Sequence, residues 1–255
     1  MKEKILNFLR IVTHYPRRVL DVFLFVIYFK HRNNWAILNT YIGKPVLIVG
    51  NGPSLNKTPL DKVKETYVSI GMNKINLIYE KSSWRPDIIT CINGLVIKQN
   101  KEYFNTTNRV LILPVKAFYI GIKPRKNVLF INLKNQKKVL SDIPKGVSSG
   151  CTVTFIGLQI AAYLKPDSVS IVGVDHSFIV DRGPLVQKHK GDDLNHFSKD
   201  YFKNQYWGLP DLDGSEKLYE LSNSFFKAKN ISITDYTVDG KLKVFDKGNI
   251  NDICN

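Results

Sequence analysis

Short unbroken apolar runs recur along the chain, each closed by a small or polar residue. Val46-Leu47-Ile48-Val49 ends in Gly50-Asn51-Gly52-Pro53-Ser54-Leu55. Tyr67 to Met72 closes on Asn73, and Pro86 to Ile92 closes on Asn93. Val110 to Pro114 and Asn127 to Leu133 follow, then Ser168 to Val174 closing on Asp175, and Ile231 to Asp235 last. Unbroken rather than alternating runs are the pattern of strands buried on both faces, and helical stretches between them predict a mostly parallel α/β sheet with helices on both sides. Ser148-Ser149-Gly150, in the small-residue stretch 146–150, is expected to open a long apolar helix through Leu164. A second helix is predicted over 215–227, with Leu218, Leu221 and Phe225 on one face.

Two stretches depart from this rhythm. Residues 1–42 are predicted to be a basic amphipathic helical extension: Ile5, Phe8, Leu9, Val12 and Val19 to Phe29 are apolar among Lys2, Lys4, Arg10, Arg17, Arg18, Lys30 and Arg32. The apolar run is too short to span a bilayer and contains Asp21. It has no small-residue cleavage site. Residues 1–32 suit either an anionic membrane surface, reached from the cytoplasm, or packing against the domain or a second subunit, which leaves room for a homo-oligomer. The α/β domain covers 43–250, and about 176–214, long, polar and rich in His and aromatics, reads as a lid loop.

Composition narrows the partners. The 255 residues hold 37 Lys+Arg against 22 Asp+Glu, a net charge of +15. That balance favours anionic ligands or surfaces. No zinc-finger, RNA-recognition or helix-turn-helix signature accompanies it, so nucleic acid is not an expected partner. Cys91, Cys151 and Cys254 are odd in number and irregular in spacing, which argues for a reducing compartment and against a disulfide framework or a metal site.

The candidate chemistry gathers at strand ends. Gly50-Asn51-Gly52-Pro53-Ser54 is a turn into a helix start, where glycines admit close approach and unpaired N–H groups suit a phosphate. It is neither the six-residue dinucleotide fingerprint nor a P-loop. Asn51, Asn73, Asn93 and Asp175 all fall at carboxyl ends of predicted strands, where open α/β sheets bind ligands.

Ile48 to Leu55, Ser148-Ser149-Gly150, Val172-Gly173-Val174-Asp175 and the segment 215–235 together resemble one superfamily. Its members include Campylobacter-type sialyltransferases, Maf flagellin-glycosylation proteins and archaeal 6-hydroxymethylpterin diphosphokinases. The resemblance covers roughly 45–245 and implies a single Rossmann-like nucleotide-binding domain with a lid. It implies nucleotide and donor binding by Asn51, Asn73, Asn93, Ser148, Ser149 and Gly150, to which the reading of the turn and strand ends adds Gly50, Gly52, Pro53, Ser54 and Asp175, with a CMP-sugar as donor and no metal or other cofactor required. The sialyltransferase lid places a His where this chain has Gly208-Leu209-Pro210, so His196, or else His176, is expected as the base, with Tyr201 and Tyr206 as phosphate partners. Pro144-Lys145-Gly146 also departs from that family, which has an Arg there. The expected function is a glycosyltransferase moving a sialic acid, nonulosonate or Kdo-type sugar from CMP to a glycan or glycolipid such as lipopolysaccharide or capsule, at the inner face of the cytoplasmic membrane. The alternatives are a Mg²⁺-dependent pterin diphosphokinase, with Asp175 and Asp211 or Asp213 on the metal, and a non-catalytic membrane-attached nucleotide-binding protein.

Overall fold

The structure, a computed structural model, describes residues 16–179 and 186–255. The expected helical positions Ile5 to Val12, and 180–185 of the expected lid, lie outside them. The strands are β1 (Val46–Val49), β2 (Val68–Met72), β3 (Ile88–Thr90), β4 (Val110–Pro114), β5 (Val128–Ile131), β6 (Leu133–Lys134), β7 (Val147–Ser148), β8 (Ser168–Val172), β9 (Val186–Lys188), β10 (Tyr206–Gly208), β11 (Ser232–Asp235) and β12 (Asp246–Lys247), and all but β6, β7, β9, β10 and β12 fall within the apolar runs. Eight of them form one sheet in the order β12-β11-β8-β1-β2-β3-β4-β5. Every pairing in it is parallel. The chain builds outward from β1 to β5, returns to place β8 on the other side of β1, and continues to β12. The order therefore reverses between β1 and β8.

Period-two alternation distributes the core. Val46 and Ile48 face one side of the sheet, Leu47 and Val49 the other, and each side carries its own apolar cluster. The helices are α1 (16–32), α2 (Gly94–Gln99), α3 (Lys101–Thr106), α4 (Lys116–Ile120), α5 (Val153–Leu164) and α6 (Leu212–Lys227). α5 is apolar nearly all round because it is buried nearly all round, between β1, β2 and α6. Gly157 lets it lie close to the sheet, since a Cβ there would already be 3.3 Å from Met72 Cε.

Three expectations are corrected. The helices expected after β1 and β2 are short 3-10 segments, Pro53–Lys57, Leu60–Lys62 and Ile75–Glu80. α5 begins at Val153, with Thr152 as its N-cap, rather than at Ser148-Ser149-Gly150. Ser148 instead closes β7, its N–H donating to Gln159 Oε1 at 2.8 Å, and Ser149 N–H donates to the Lys134 carbonyl at 2.7 Å. Most of the expected lid is not a free loop. β9 and β10 pair antiparallel, and Phe197, Tyr201, Phe202 and Trp207 are buried in the domain core.

α1 packs beside β5, the last strand of the sheet. Phe29 lies 4.3 Å, centroid to centroid, from the Phe130 ring, and the Asn33 side chain both donates to the Phe130 carbonyl and accepts from its N–H. That pairing satisfies part of a strand edge that would otherwise stand open.

Candidate functional site

The reversal between β1 and β8 is where an open α/β sheet offers a crevice at its carboxyl edge. A cavity of about 280 Å³ lies there. Asn51, Asn73, Asn93 and Asp175, the four residues at the strand ends, all line it, together with Thr152, His176, His196 and Trp207.

Its floor is a close crossing of two loops. The Gly50 N–H donates to the Val172 carbonyl at 2.8 Å, and the Gly52 N–H to the Gly173 carbonyl at 2.9 Å. A Cβ on Gly50 would stand 2.2 Å from the Gly173 oxygen, and one on Gly52 would stand 1.8 Å from Asp175 Oδ2. The glycines thus make room for a second loop, and both also line the cavity. Asp175 in turn accepts from the Ser54 N–H at 3.0 Å and from the Ser54 hydroxyl at 2.7 Å. The helix start expected to receive a phosphate at Pro53 and Ser54 therefore already holds a carboxylate, and neither residue lines the cavity. Burial pushes the Asp175 carboxyl up, the Ser54 bonds pull it down, and burial prevails.

A second helix start does open on the cavity. Thr152, Val153 and Thr154 line it, and they begin the twelve-residue α5, whose N-terminal end carries partial positive charge. Asn51 Oδ1, Asn73 Oδ1 and Trp207 Nε1 are buried and, among the described residues, lack a hydrogen-bond partner. Buried polar atoms are seldom left so, and here two acceptors and one donor belong to cavity-lining side chains. Asn73 has a left-handed backbone, φ +52°, which Asn tolerates.

The opposite wall is the segment 193–202. Its Phe197 N–H donates to the Asn51 carbonyl at 3.0 Å, and Asn195 holds both the N–H and the carbonyl of Ile179. His196 Nδ1 is 2.9 Å from Asp193 Oδ2, and the ring stacks on Tyr201 at 4.0 Å with 7° between planes. Burial raises the Asp193 carboxyl, but the His196 hydrogen bond and charge, with the Asn195 N–H and His189, together bring it below its ordinary value. The carboxylate thus fixes the ring and leaves Nε2 as the other nitrogen. Beneath this wall Lys74 is buried, donating to the Tyr201 carbonyl at 2.6 Å and to Gln205 Oε1 at 2.7 Å. Desolvation lowers its ammonium to about 8, with Asp193 and Cys91 opposing.

His176 also lines the cavity, with Nε2 3.6 Å from Glu216 Oε2 and its ring edge-on to Tyr219. The two expected tyrosines stand elsewhere. Tyr201 is fully buried under His196, its hydroxyl accepting from the Lys74 N–H, and burial drives its phenol far above its ordinary value. Tyr206 is exposed on β10, outside the cavity. Ser148, Ser149 and Gly150 also lie outside it. Asp211 caps α6 through Gly214, and Asp213 follows in the first turn. With both Asp175 oxygens held by Ser54, these carboxylates do not form a ready donor set for Mg²⁺. No cluster of three or more His, Cys, Asp or Glu side chains suited to a metal occurs among the described residues.

Sequence reasoning missed Asp193, Lys74, Thr152 and Trp207. The Asp193-x-x-His196 spacing and the adjacency of Lys74 to Asn73 were the available signals.

An all-parallel sheet with a cavity at the strand-order reversal defines an open α/β protein of the Rossmann-like kind. Within that class, the chain belongs to the MptE-like family, described as 6-hydroxymethylpterin diphosphokinase MptE-like, which residues 28–181 match. Comparison with curated proteins returns no match. The fold is similar to that of a MAf glycosyltransferase from Magnetospirillum magneticum AMB-1, with TM-score 0.53 and 16% identity over 82% of this chain and 34% of the other. The chain thus spans about a third of that protein's length. The sialyltransferase CstII from Campylobacter jejuni, in complex with the substrate analogue CMP-3FNeuAc, gives TM-score 0.48 and 14% identity over 83% of this chain and 88% of its own.

Proposed function

We propose that the protein is a glycosyltransferase that moves an acidic sugar of the sialic acid, nonulosonate or Kdo type from a CMP-sugar to a hydroxyl of a cell-surface glycan such as lipopolysaccharide or capsule. The observation that carries this reading is the Asp193–His196 pair on the cavity wall. With Nδ1 held by the carboxylate, the neutral imidazole can take the acceptor hydroxyl proton at Nε2, and Asp193 stabilises the imidazolium that results. The acceptor oxygen forms its bond to the anomeric carbon as the bond from that carbon to the phosphate oxygen breaks, and CMP leaves with the electron pair. The positive end of α5 at Thr152–Thr154 suits the departing phosphate. The free amide oxygens of Asn51 and Asn73 suit N–H or O–H donors of the base or sugar. The fold shared with the MAf glycosyltransferase agrees with sugar transfer, and the net charge of +15 with an anionic donor.

The family description favours a second reading, transfer of a diphosphate from ATP to a pterin alcohol with Mg²⁺. A thermal-shift panel separates the two, because a ligand that binds only the native state raises the melting midpoint. A shift with CMP that persists in EDTA, followed by CMP release from an acidic-sugar donor, is the expected result. A shift that requires ATP and Mg²⁺ overturns it in favour of the diphosphokinase. CMP binding without turnover of any donor leaves a nucleotide-binding protein.

A further inference from the structure

α1 is apolar on two opposite faces. Leu24, Phe25, Tyr28 and Phe29 face the domain, where Phe25 and Phe29 join the core. Val19, Leu20, Val22, Phe23, Val26 and Ile27 face away, and Val19, Phe23 and Ile27 are 61%, 56% and 59% exposed. Their spacing is that of the buried stripe of an amphipathic helix, here turned to solvent. Phe118 and Tyr119 of α4 add two exposed aromatic rings beside it. No described helix is long and apolar enough to cross a membrane.

What surrounds the face selects its occupant. Arg17 and Arg18 precede it and Lys30, His31 and Arg32 follow it on the same helix. Lys134 of β6 and Lys137 and Lys138 just beyond it follow β5, and residues 132–136 form with Arg18, Val19 and Val22 a groove of about 460 Å³. The one carboxylate on the described helix, Asp21, interacts with Tyr119 and Lys116 of the domain. A second copy of the chain would bring these cations against their own equivalents, because a two-fold interface pairs a patch with itself. An anionic bilayer matches both the apolar face and its basic border.

We propose that this face of α1 seats the protein on an anionic lipid bilayer, with Val19, Phe23, Val26 and Ile27 in the acyl boundary and the basic residues among the headgroups. The groove residues 132–136 follow the carboxyl end of β5, so the docking face reaches the same edge of the sheet on which the cavity opens. From β5 to β1 that edge runs four strand spacings, roughly 20 Å. The proposal stands independently of the transfer chemistry.

The test is flotation of the full chain with vesicles of phosphatidylcholine alone and of phosphatidylcholine mixed with phosphatidylglycerol. Binding is expected to the mixed vesicles, to fall steeply with salt, and to be far weaker on the neutral ones. Phe23→Glu with Ile27→Glu removes two exposed apolar anchors and should weaken binding by ~100-fold or more. Arg17→Gln with Arg18→Gln leaves the apolar face intact and should cost about fivefold per residue. Unchanged melting midpoints of both variants establish that the fold survives. Failure of wild type to float, equal binding to both vesicle types, or indifference to both variants overturns the proposal. So does a concentration-dependent dimer that Phe23→Glu with Ile27→Glu abolishes, which would make the face a contact between copies of the chain.

Discussion

Replacing Gly52 by Ala probes the crossing beneath the cavity. Gly52 has φ −69° and ψ 164°, a conformation open to any residue, so the demand for glycine there is one of space alone. The new Cβ would stand 1.8 Å from Asp175 Oδ2 and 2.5 Å from its Cγ, against the 3.0 Å below which real Cβ contacts essentially do not occur. The carboxylate must retreat by more than an ångström, giving up the Ser54 N–H at 3.0 Å and hydroxyl at 2.7 Å. Hydrogen bonds to a charged group contribute ~1.5–3 kcal/mol each, and the displaced carboxylate regains some hydration in the cavity, so the expected loss is about 2–4 kcal/mol. Urea unfolding at neutral pH measures it as a fall in the midpoint. The decisive comparison is the same substitution with Asp175→Ala. There the clash with the carboxylate is gone and only the 3.1 Å approach to the Asp175 Cβ remains. The cost should drop to about 1 kcal/mol, the low end for overpacking. An equal cost in both backgrounds would refute the argument and mean that Gly52 answers to the backbone and not to Asp175.

Three further outcomes follow from the cavity wall. His196→Ala should lower transfer by ~10²–10⁴-fold while the CMP-induced melting shift persists, and loss of that shift would move His196 from proton transfer to binding. Asp193→Asn keeps the shape but no longer fixes the tautomer, so kcat should fall by at least ~100-fold with little change in donor KM; an equal rise in KM would assign it to donor binding. Burial pushes the Lys74 ammonium down to about 8, from the ~10.4 of a free lysine. The unfolded chain therefore binds more protons between those values, and stability should rise with pH from about 8, by up to ~1.4 kcal/mol per unit. Urea midpoints at pH 7.5 and 9.5 should diverge in the wild type and converge in Lys74→Met. Parallel behaviour would place the titration elsewhere.

Much of the sheet was legible because strands buried on both faces must be largely apolar: Val46–Val49 is so throughout, and Val68–Met72 and Ile88–Thr90 are broken only by Ser69 and Thr90, whose hydroxyls are hydrogen-bonded. β12 was not, because two residues, Asp246 and Lys247, carry no period. The strand-end positions Asn51, Asn73, Asn93 and Asp175 could be read because parallel strands deliver all their carboxyl ends to one edge. The roles of Gly52 and Ser54 could not, since they depend on a loop more than a hundred residues later. The start of α5 was misplaced for a local reason. Small residues at 148–150 look like a cap, but Gln159, nearly two turns into the helix, captures the backbone of Ser148 and keeps it in a strand. Asp193 lay hidden in a polar stretch where nothing marks one carboxylate over its neighbour Asp192. Burial separates them: Asp193 is enclosed beside His196, while Asp192 pairs with Lys203 at the surface.

The anchoring of 193–205 bears on how a ligand is received. Asn51 holds Phe197, Asn56 donates to the Phe197 carbonyl, Ile179 holds Asn195, and Lys74 ties Tyr201 to Gln205. The imidazole of His196 is therefore in place before anything enters. The conformational entropy of ordering that segment is lost during folding, not during binding. For the segment 193–205, then, a ligand's affinity is not diminished by the ordering of its wall.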